Sequence, residues 1–89
     1  MEIFSIRLNQ LLTENKISMY KLAKDFKCSK STITNWCYGL NEPRATDIAR
    51  LAIYFDVSSD YLLGLEDEGG TKIHNAIYDN HGHITFNQR

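Results

Sequence analysis

The most constraining feature of this sequence is the short interval between two helix-forming segments. The first begins at Ser18 and the second at Ser29, and each serine is a predicted N-cap, because its hydroxyl can accept a hydrogen bond from a free first-turn amide. The apolar stripe of the first segment consists of Leu22, Ala23 and Phe26. Residues 27–29 leave room only for a tight turn. Two short helices must therefore cross at a sharp angle.

The residue types around this crossing agree with it. Only a small side chain fits where two helix backbones approach closely, and we assign that role to Ala23. Ile33 and Trp36 fill the angle between the helices, with Cys37 beside them. Gly39 is predicted to end the second helix, because glycine readily takes the left-handed conformation found just past a helix C-terminus.

Three more helices are predicted around this pair. The first spans Glu2 to about Asn15, and its apolar residues recur at helical spacing. They are Ile3, Ile6, Leu8, Leu11 and Leu12. A fourth begins at Ala45 or Thr46, and its inner face is Ile48, Leu51, Ala52 and Phe55. A short fifth helix is capped by Ser58 or Ser59 and closed by Gly64. Short loops joining five helices predict an all-α domain over residues 1–65.

The sequence changes character after Leu65. Residues 66–70 form an acidic, glycine-containing hinge, and residues 72–78 and 83–86 are β-prone runs separated by turn residues. We interpret residues 66–89 as a β-hairpin or extended tail. An isolated hairpin is marginal in water and needs a surface or a partner strand. Residues 72–87 are therefore a candidate dimer contact, and the alternatives are a hairpin folded back on its own domain or a flexible tail.

Length and motifs argue against several functional classes. A chain of 89 residues buries about 60 to 65% of the surface that it exposes when unfolded, which leaves little room for an enclosed active site. We find no nucleophile elbow, phosphate loop or carboxylate pair, so we expect no enzyme and no cofactor. His74, His81 and His83 lack zinc spacing, so no metal site is predicted.

The compartment is also constrained by the sequence. No apolar stretch approaches the roughly 20 residues of a membrane helix, and residues 1–7 do not resemble a secretion signal. Cys28 and Cys37 lie nine positions apart, about 13 Å along a helix, which is too far for a disulfide. We interpret both as small buried or half-buried side chains. A cytoplasmic protein without membrane contact is expected.

Charge is distributed unevenly along the chain. Residues 1–44 hold seven basic and four acidic side chains, a balance of +3, whereas residues 45–89 hold three basic and seven acidic ones, a balance of −4. The formal total of −1 hides this asymmetry. A polyanion responds to the local face that it meets, so the basic half is compatible with nucleic-acid binding.

Taken in order, these elements resemble the helix-turn-helix domain of the phage repressor and Cro class, to which the phage lambda repressor belongs. The resemblance covers roughly Phe4 to Gly64. The matching residues are Leu22-Ala23, 29–36, Gly39, Pro43, Leu51-Ala52 and 57–64. Two positions depart from the family. Lys27 replaces a turn glycine, at a cost of roughly 1 kcal/mol for a left-handed residue with a side chain, and Cys37 replaces a frequent acidic residue that can form a salt bridge.

The resemblance implies that the helix from Ser29 to Tyr38 enters the DNA major groove, with its N-terminal half facing base edges. Lysine suits guanine and asparagine suits adenine in that groove. The implied base contacts are Lys30, Ser31, Thr32 and Asn35. Amides at Ser18 and Met19 are implied to bind a phosphate. The implied DNA backbone contacts are Ser18, Met19, Lys21, Ser29, Thr34, Tyr38, Asn41 and Arg44.

The function that the resemblance implies is sequence-specific binding of double-stranded DNA by a transcriptional regulator. The leading interpretation is a repressor of phage or mobile-element origin that binds a palindromic operator as a homodimer. A protein antirepressor is a further partner to consider. The alternative is an antitoxin-like or regulatory subunit whose tail binds a protein partner by strand addition. The two interpretations are compatible, because DNA-binding antitoxins use the same motif.

Overall fold

The computed structural model describes residues 2–67 and residue 69. Five helices follow one another in the order α1 (Glu2–Asn15), α2 (Met19–Phe26), α3 (Lys30–Cys37), α4 (Ala45–Phe55) and α5 (Ser59–Leu63). The predicted all-α architecture and the number of helices are confirmed. Within the described residues, no helix is both long and apolar enough to cross a membrane. The predicted hairpin and its three histidines lie outside the described residues.

Serine side chains cap the N-termini of three of the five helices. The hydroxyl oxygens of Ser18, Ser29 and Ser58 each accept a hydrogen bond from the backbone amide three residues later. Glycines follow two helix ends in the left-handed conformation, Gly39 with φ of 75° and Gly64 with φ of 85°. The predicted caps and helix ends are therefore confirmed. These local signals give each short helix a defined length before tertiary packing is considered.

All five helices contribute to a single apolar core. The buried side chains at its centre include Leu8, Leu22, Ile33, Leu51 and Leu62, each with no exposed surface. The predicted inner face of α4 is confirmed, since Ile48, Leu51, Ala52 and Phe55 are all buried.

Two of the apolar residues that recur at helical spacing in α1 lie outside the core. Ile3 and Ile6 are 38% and 47% exposed, whereas Phe4 is only 1% exposed and packs edge-on against Trp36 with ring centroids 6.3 Å apart. The helix turns the row of Phe4, Leu8 and Leu11 toward the core. Ile3 and Ile6 consequently lie on its flank. Apolar spacing alone did not distinguish the centre of this stripe from its edge.

A buried arginine attaches the end of the helical domain to α1. Arg7 is 6% exposed, and its Nη1 donates to the backbone oxygens of Tyr61 and Glu66, the latter at 2.6 Å. Its guanidinium also lies 4.4 Å from the centre of the Tyr61 ring. Glu66 follows the predicted domain boundary at residue 65, and it also accepts a hydrogen bond of 2.8 Å from the Ser58 hydroxyl. Contacts with the helices thus extend at least as far as Glu66.

Candidate nucleic-acid interface

The turn between α2 and α3 is closed by backbone hydrogen bonds. Lys27 takes the left-handed conformation, with φ of 57° and ψ of 45°, as predicted for a residue that replaces a turn glycine. The amide of Cys28 donates to the backbone oxygen of Ala23 at 3.0 Å, which closes the C-terminal turn of α2. Ser29 then returns to an extended conformation and caps α3. The two helices are thus joined by a turn whose geometry is set locally.

Close packing holds α2 against α3. Ala23 is 3% exposed, and Ile33 and Trp36 on α3 are almost completely buried, so all three lie in the core as predicted, where Trp36 contacts Phe4 on α1. At the opposite edge of the pair, the Thr34 hydroxyl donates to the sulfur of Met19 at 3.7 Å. This contact joins the start of α2 to the middle of α3.

The four side chains predicted to read bases differ in exposure. Lys30 and Ser31 are exposed, whereas Thr32 and Asn35 are half-buried. The Ser29 hydroxyl oxygen lies 2.9 Å from the Ser31 hydroxyl and 3.0 Å from the Thr32 hydroxyl, so the three form a cluster at the start of α3. The side chains of Lys30 and Asn35 have no hydrogen-bond or ionic partner among residues 2–67. Their donors and acceptors are therefore available to a ligand.

Some residues predicted to contact the DNA backbone already have partners in the domain. The Ser18 hydroxyl accepts from the Lys21 amide at 3.0 Å, and the Lys21 ammonium pairs with the Asp25 carboxylate at 2.9 Å. Arg44 is 85% exposed in its side chain and lies 3.5 Å from the Asp47 carboxylate. Tyr38 and Asn41 are exposed.

Only some of the residues predicted to contact the DNA backbone touch one another in the structure. Met19 and Thr34 touch each other, and Ser29 bonds to its neighbours at the start of α3. Of the other five predicted backbone contacts, Ser18 and Lys21 lie at the start of α2, and Tyr38, Asn41 and Arg44 are exposed and follow α3.

The two crossing helices present a basic surface. Residues 19–37 contain four lysines and one acidic residue, Asp25. All four lysines are exposed, and they are Lys21, Lys24, Lys27 and Lys30. A formal balance of +3 over such a short stretch favours contact with a polyanion.

A model of the helix-turn-helix family matches the sequence over residues 8–62, which include both crossing helices. The chain belongs to the helix-turn-helix family of the phage repressor and Cro class. A similar protein is the uncharacterized HTH-type transcriptional regulator YobD of Bacillus subtilis strain 168, which is 34% identical over 67 residues. That alignment covers 75% of this chain and 60% of the relative, so the chain spans under two thirds of the relative's length.

A solved structure has the same fold. The solution structure of the SOS-response transcriptional repressor LexA from Eubacterium rectale superimposes with a TM-score of 0.68 and 31% sequence identity. The match covers 75% of this chain and 69% of the LexA chain. The helix-turn-helix assignment therefore has support from both sequence and three-dimensional structure.

Sequence reasoning missed the side chains of α4 that brace the helix-turn-helix at the end of α2. Arg50 donates to the backbone oxygen of Phe26 at 3.2 Å and places its guanidinium 4.2 Å from the centre of the Phe26 ring. One turn further along α4, the Tyr54 hydroxyl donates to the Asp25 carboxylate at 2.5 Å. The i,i+4 spacing of Arg50 and Tyr54 puts them on one helix face, but nothing in the sequence indicates which helix they meet.

Sequence reasoning also missed two polar residues of α1 that contact the end of α3. The Ser5 hydroxyl donates to the backbone oxygen of Trp36 at 2.7 Å. The Asn9 side-chain amide donates to the backbone oxygen of Cys37 at 2.9 Å. Both residues stand beside the apolar row of α1, also at i,i+4 spacing. That placement was the available signal, because polar side chains next to a core face need hydrogen-bond partners.

The two cysteines in this region are shielded from water to different degrees. Cys28 in the turn is half-buried and Cys37 on α3 is 4% exposed. Desolvation raises the pKa of each thiol above its usual value. Both thiols are free. The interpretation of these residues as small buried or half-buried side chains is confirmed.

Proposed function

We propose that this chain is a sequence-specific DNA-binding transcriptional regulator whose α3 lies in the major groove. The observation that carries the proposal is the division of α3 into two faces. Ile33, Trp36 and Cys37 are at most 5% exposed, while Lys30 and Ser31 face solvent. A helix fixed by its apolar face and open on its polar face has the form needed to enter the groove.

The side chains on the open face have the chemistry for base recognition. The Lys30 ammonium donates to guanine O6 and N7, and the Asn35 carboxamide can form two hydrogen bonds with adenine. The hydroxyls of Ser31 and Thr32 can donate or accept, so they tolerate several bases. We assign these four residues as the base-reading set.

Contacts to the DNA backbone would set the register of α3. The N-terminus of α2 at Ser18 and Met19 carries free amides that favour a phosphate, and the neighbouring lysines add positive charge. We assign Tyr38, Asn41 and Arg44 to phosphates beyond the C-terminal end of α3. Ser29, Thr34 and Lys21 complete this set.

We further propose that the chain acts as a homodimeric repressor on an inverted repeat. A helix of eight residues reads only a few base pairs, so two copies on paired half-sites give the specificity that one copy lacks. The similar LexA structure is that of a transcriptional repressor. Occupation of a promoter by such a dimer would exclude the polymerase.

Selection of bound DNA from a random pool tests this function. We expect enrichment of an inverted repeat, with half-sites one helical turn or a multiple of it apart, and a dimer by sedimentation on that DNA. Lys30→Ala with Asn35→Ala should abolish the enrichment, whereas Lys24→Ala, a change of another exposed lysine, should preserve the recovered sequence. Failure to enrich any sequence would refute the proposal, and a second protein co-purifying in equal amount would favour the antitoxin-like alternative.

A further inference from the structure

We propose that Ser5 and Asn9 of α1 are positioning residues that hold the C-terminal end of α3 in the orientation needed for base reading. Neither belongs to the base-reading set nor to the predicted DNA backbone contacts. The inference has two parts. The first, that Ser5 and Asn9 hold α3 in place, depends only on the geometry of the domain. The second, that this placement affects DNA binding, rests on the proposed function.

The two side chains act on backbone groups that a helix cannot satisfy by itself. The last four backbone oxygens of an α-helix have no amide of the next turn to accept from. In α3 the Trp36 oxygen accepts from the Ser5 hydroxyl at 2.7 Å and from the Gly39 amide at 3.2 Å, and the Cys37 oxygen accepts from Asn9 Nδ2 at 2.9 Å. Asn9 Nδ2 also donates to the Ser5 backbone oxygen at 2.8 Å. These bonds link α1 and α3 across 31 and 28 positions of sequence.

The two hydrogen bonds differ in their access to water. The Ser5–Trp36 bond is buried, whereas the Asn9–Cys37 bond is partly buried and Asn9 lines a surface pocket with Ser5, Cys37 and Gly39. An acceptor that loses a donor is less well satisfied unless water or a movement of the surrounding structure replaces that donor. Removal of a donor from α1 also removes a link between α1 and α3, so we expect it to shift the end of α3.

The segment after α3 adds a steric constraint at the same point. Gly39 has a left-handed φ of 75°, and a Cβ built on it would lie 3.4 Å from the Ser5 hydroxyl oxygen. The chain thus leaves α3 directly against Ser5. At the other end, Ser29 and the closed turn fix the start of α3. With only about 12 Å between its ends, a small displacement of the C-terminal end tilts the whole helix and moves Asn35.

The test compares Asn9→Leu with the matched control Asn15→Leu. Asn15 Nδ2 donates to the Leu11 oxygen at 2.8 Å, the same i to i−4 bond within α1, but Asn15 makes no hydrogen bond to α3. Ser5→Ala supplies a milder second variant. Affinities for the selected operator and for random-sequence DNA are measured at a temperature at which circular dichroism shows each variant fully folded.

We expect Asn9→Leu to lower operator affinity about tenfold and to change random-sequence affinity less than about twofold, because phosphate contacts depend less on helix orientation than base contacts do. Ser5→Ala should act in the same direction, and Asn15→Leu should match the wild type. Trp36 is the only tryptophan, so its emission reports directly on the end of α3 without DNA. Its emission should change in Asn9→Leu and remain as in the wild type in Asn15→Leu.

Two outcomes would overturn the inference. The first is a folded Asn9→Leu protein with wild-type operator affinity. The second is an equal loss on operator and random DNA, which would indicate a general weakening. If the wild type itself selects no sequence, the proposed function fails. Trp36 emission then tests separately whether Asn9 holds the end of α3 in place. Unchanged emission in Asn9→Leu would refute that claim.

Discussion

The Tyr54 hydroxyl on α4 donates a hydrogen bond of 2.5 Å to the Asp25 carboxylate on α2. This bond is the largest cause of the lowered pKa of Asp25, with the Lys21 ammonium second, and it raises the pKa of Tyr54 to about 12. The ring of Tyr54 also packs edge-on against the ring of Phe26, with the ring centroids 5.6 Å apart. One tyrosine therefore joins the polar surface of α2 to the core.

Tyr54→Phe separates the hydrogen bond from the ring packing. A lowered carboxyl pKa stabilises the fold above the unfolded value of about 3.9, and a raised tyrosine pKa stabilises it below about 10. We expect the wild type to be more stable than the variant between about pH 5 and 9. The difference should shrink as pH falls through the folded pKa of Asp25 and as pH rises toward 12. Urea unfolding across pH measures it, and a pH-independent difference would assign the effect to packing instead.

Lys27→Gly should stabilise the domain by about 1 kcal/mol, because Lys27 carries a side chain in the left-handed region where glycine has no steric penalty. Lys24→Gly is the matched control. It removes the same charge from the interior of α2 and should destabilise the domain by about 1 kcal/mol. Thermal or urea unfolding followed by circular dichroism gives both values. Equal effects of the two changes would show that charge rather than backbone conformation is responsible.

Asn35→Ala should reduce discrimination at one base pair by about 1 to 3 kcal/mol while leaving the fold intact. The side chain is half-buried and has no partner within residues 2–67, so its loss removes no internal hydrogen bond. Binding to operators that are varied one base pair at a time locates the affected position. Equal losses on operator and random DNA would exclude Asn35 from the base-reading set.

Arg44→Ala should weaken binding to all DNA sequences alike and reduce the slope of log affinity against log salt by about one unit. The Arg44 side chain is 85% exposed, and the Asp47 carboxylate, whose side chain is 11% exposed, keeps its hydrogen bond of 3.0 Å from the backbone amide of residue 44 in the variant, so stability should change by no more than about 1 kcal/mol. Titrations at several salt concentrations measure the slope. A loss confined to the operator would show that Arg44 reads bases.

The helix boundaries could be predicted because they depend on local chemistry. Ser18, Ser29 and Ser58 each satisfy an amide three residues away, and Gly39 and Gly64 accept backbone angles that other residues resist. Such features leave a signal within a few positions of sequence. The burial of Ile33 and Trp36 followed in turn from the phase of α3.

The supports of the helix-turn-helix could not be predicted, because they are tertiary. The bonds from Ser5 and Asn9 to α3, and from Arg50 and Tyr54 to α2, join positions 24 to 31 residues apart. Spacing within one helix identifies a face but not the element that the face meets. The exposure of Ile3 could not be predicted for the same reason, since it depends on which flank of α1 its neighbours cover.

Arg7 has a consequence for whatever follows the helical domain. Because its guanidinium donates to the backbone oxygens of both Tyr61 and Glu66, the main chain beyond α5 departs from a point anchored to the first helix. The position of Glu66 is therefore fixed relative to α1, which also contacts the end of α3. Altering this one arginine would release the backbone at Tyr61 and Glu66 from α1 without changing any side chain that we propose to contact DNA.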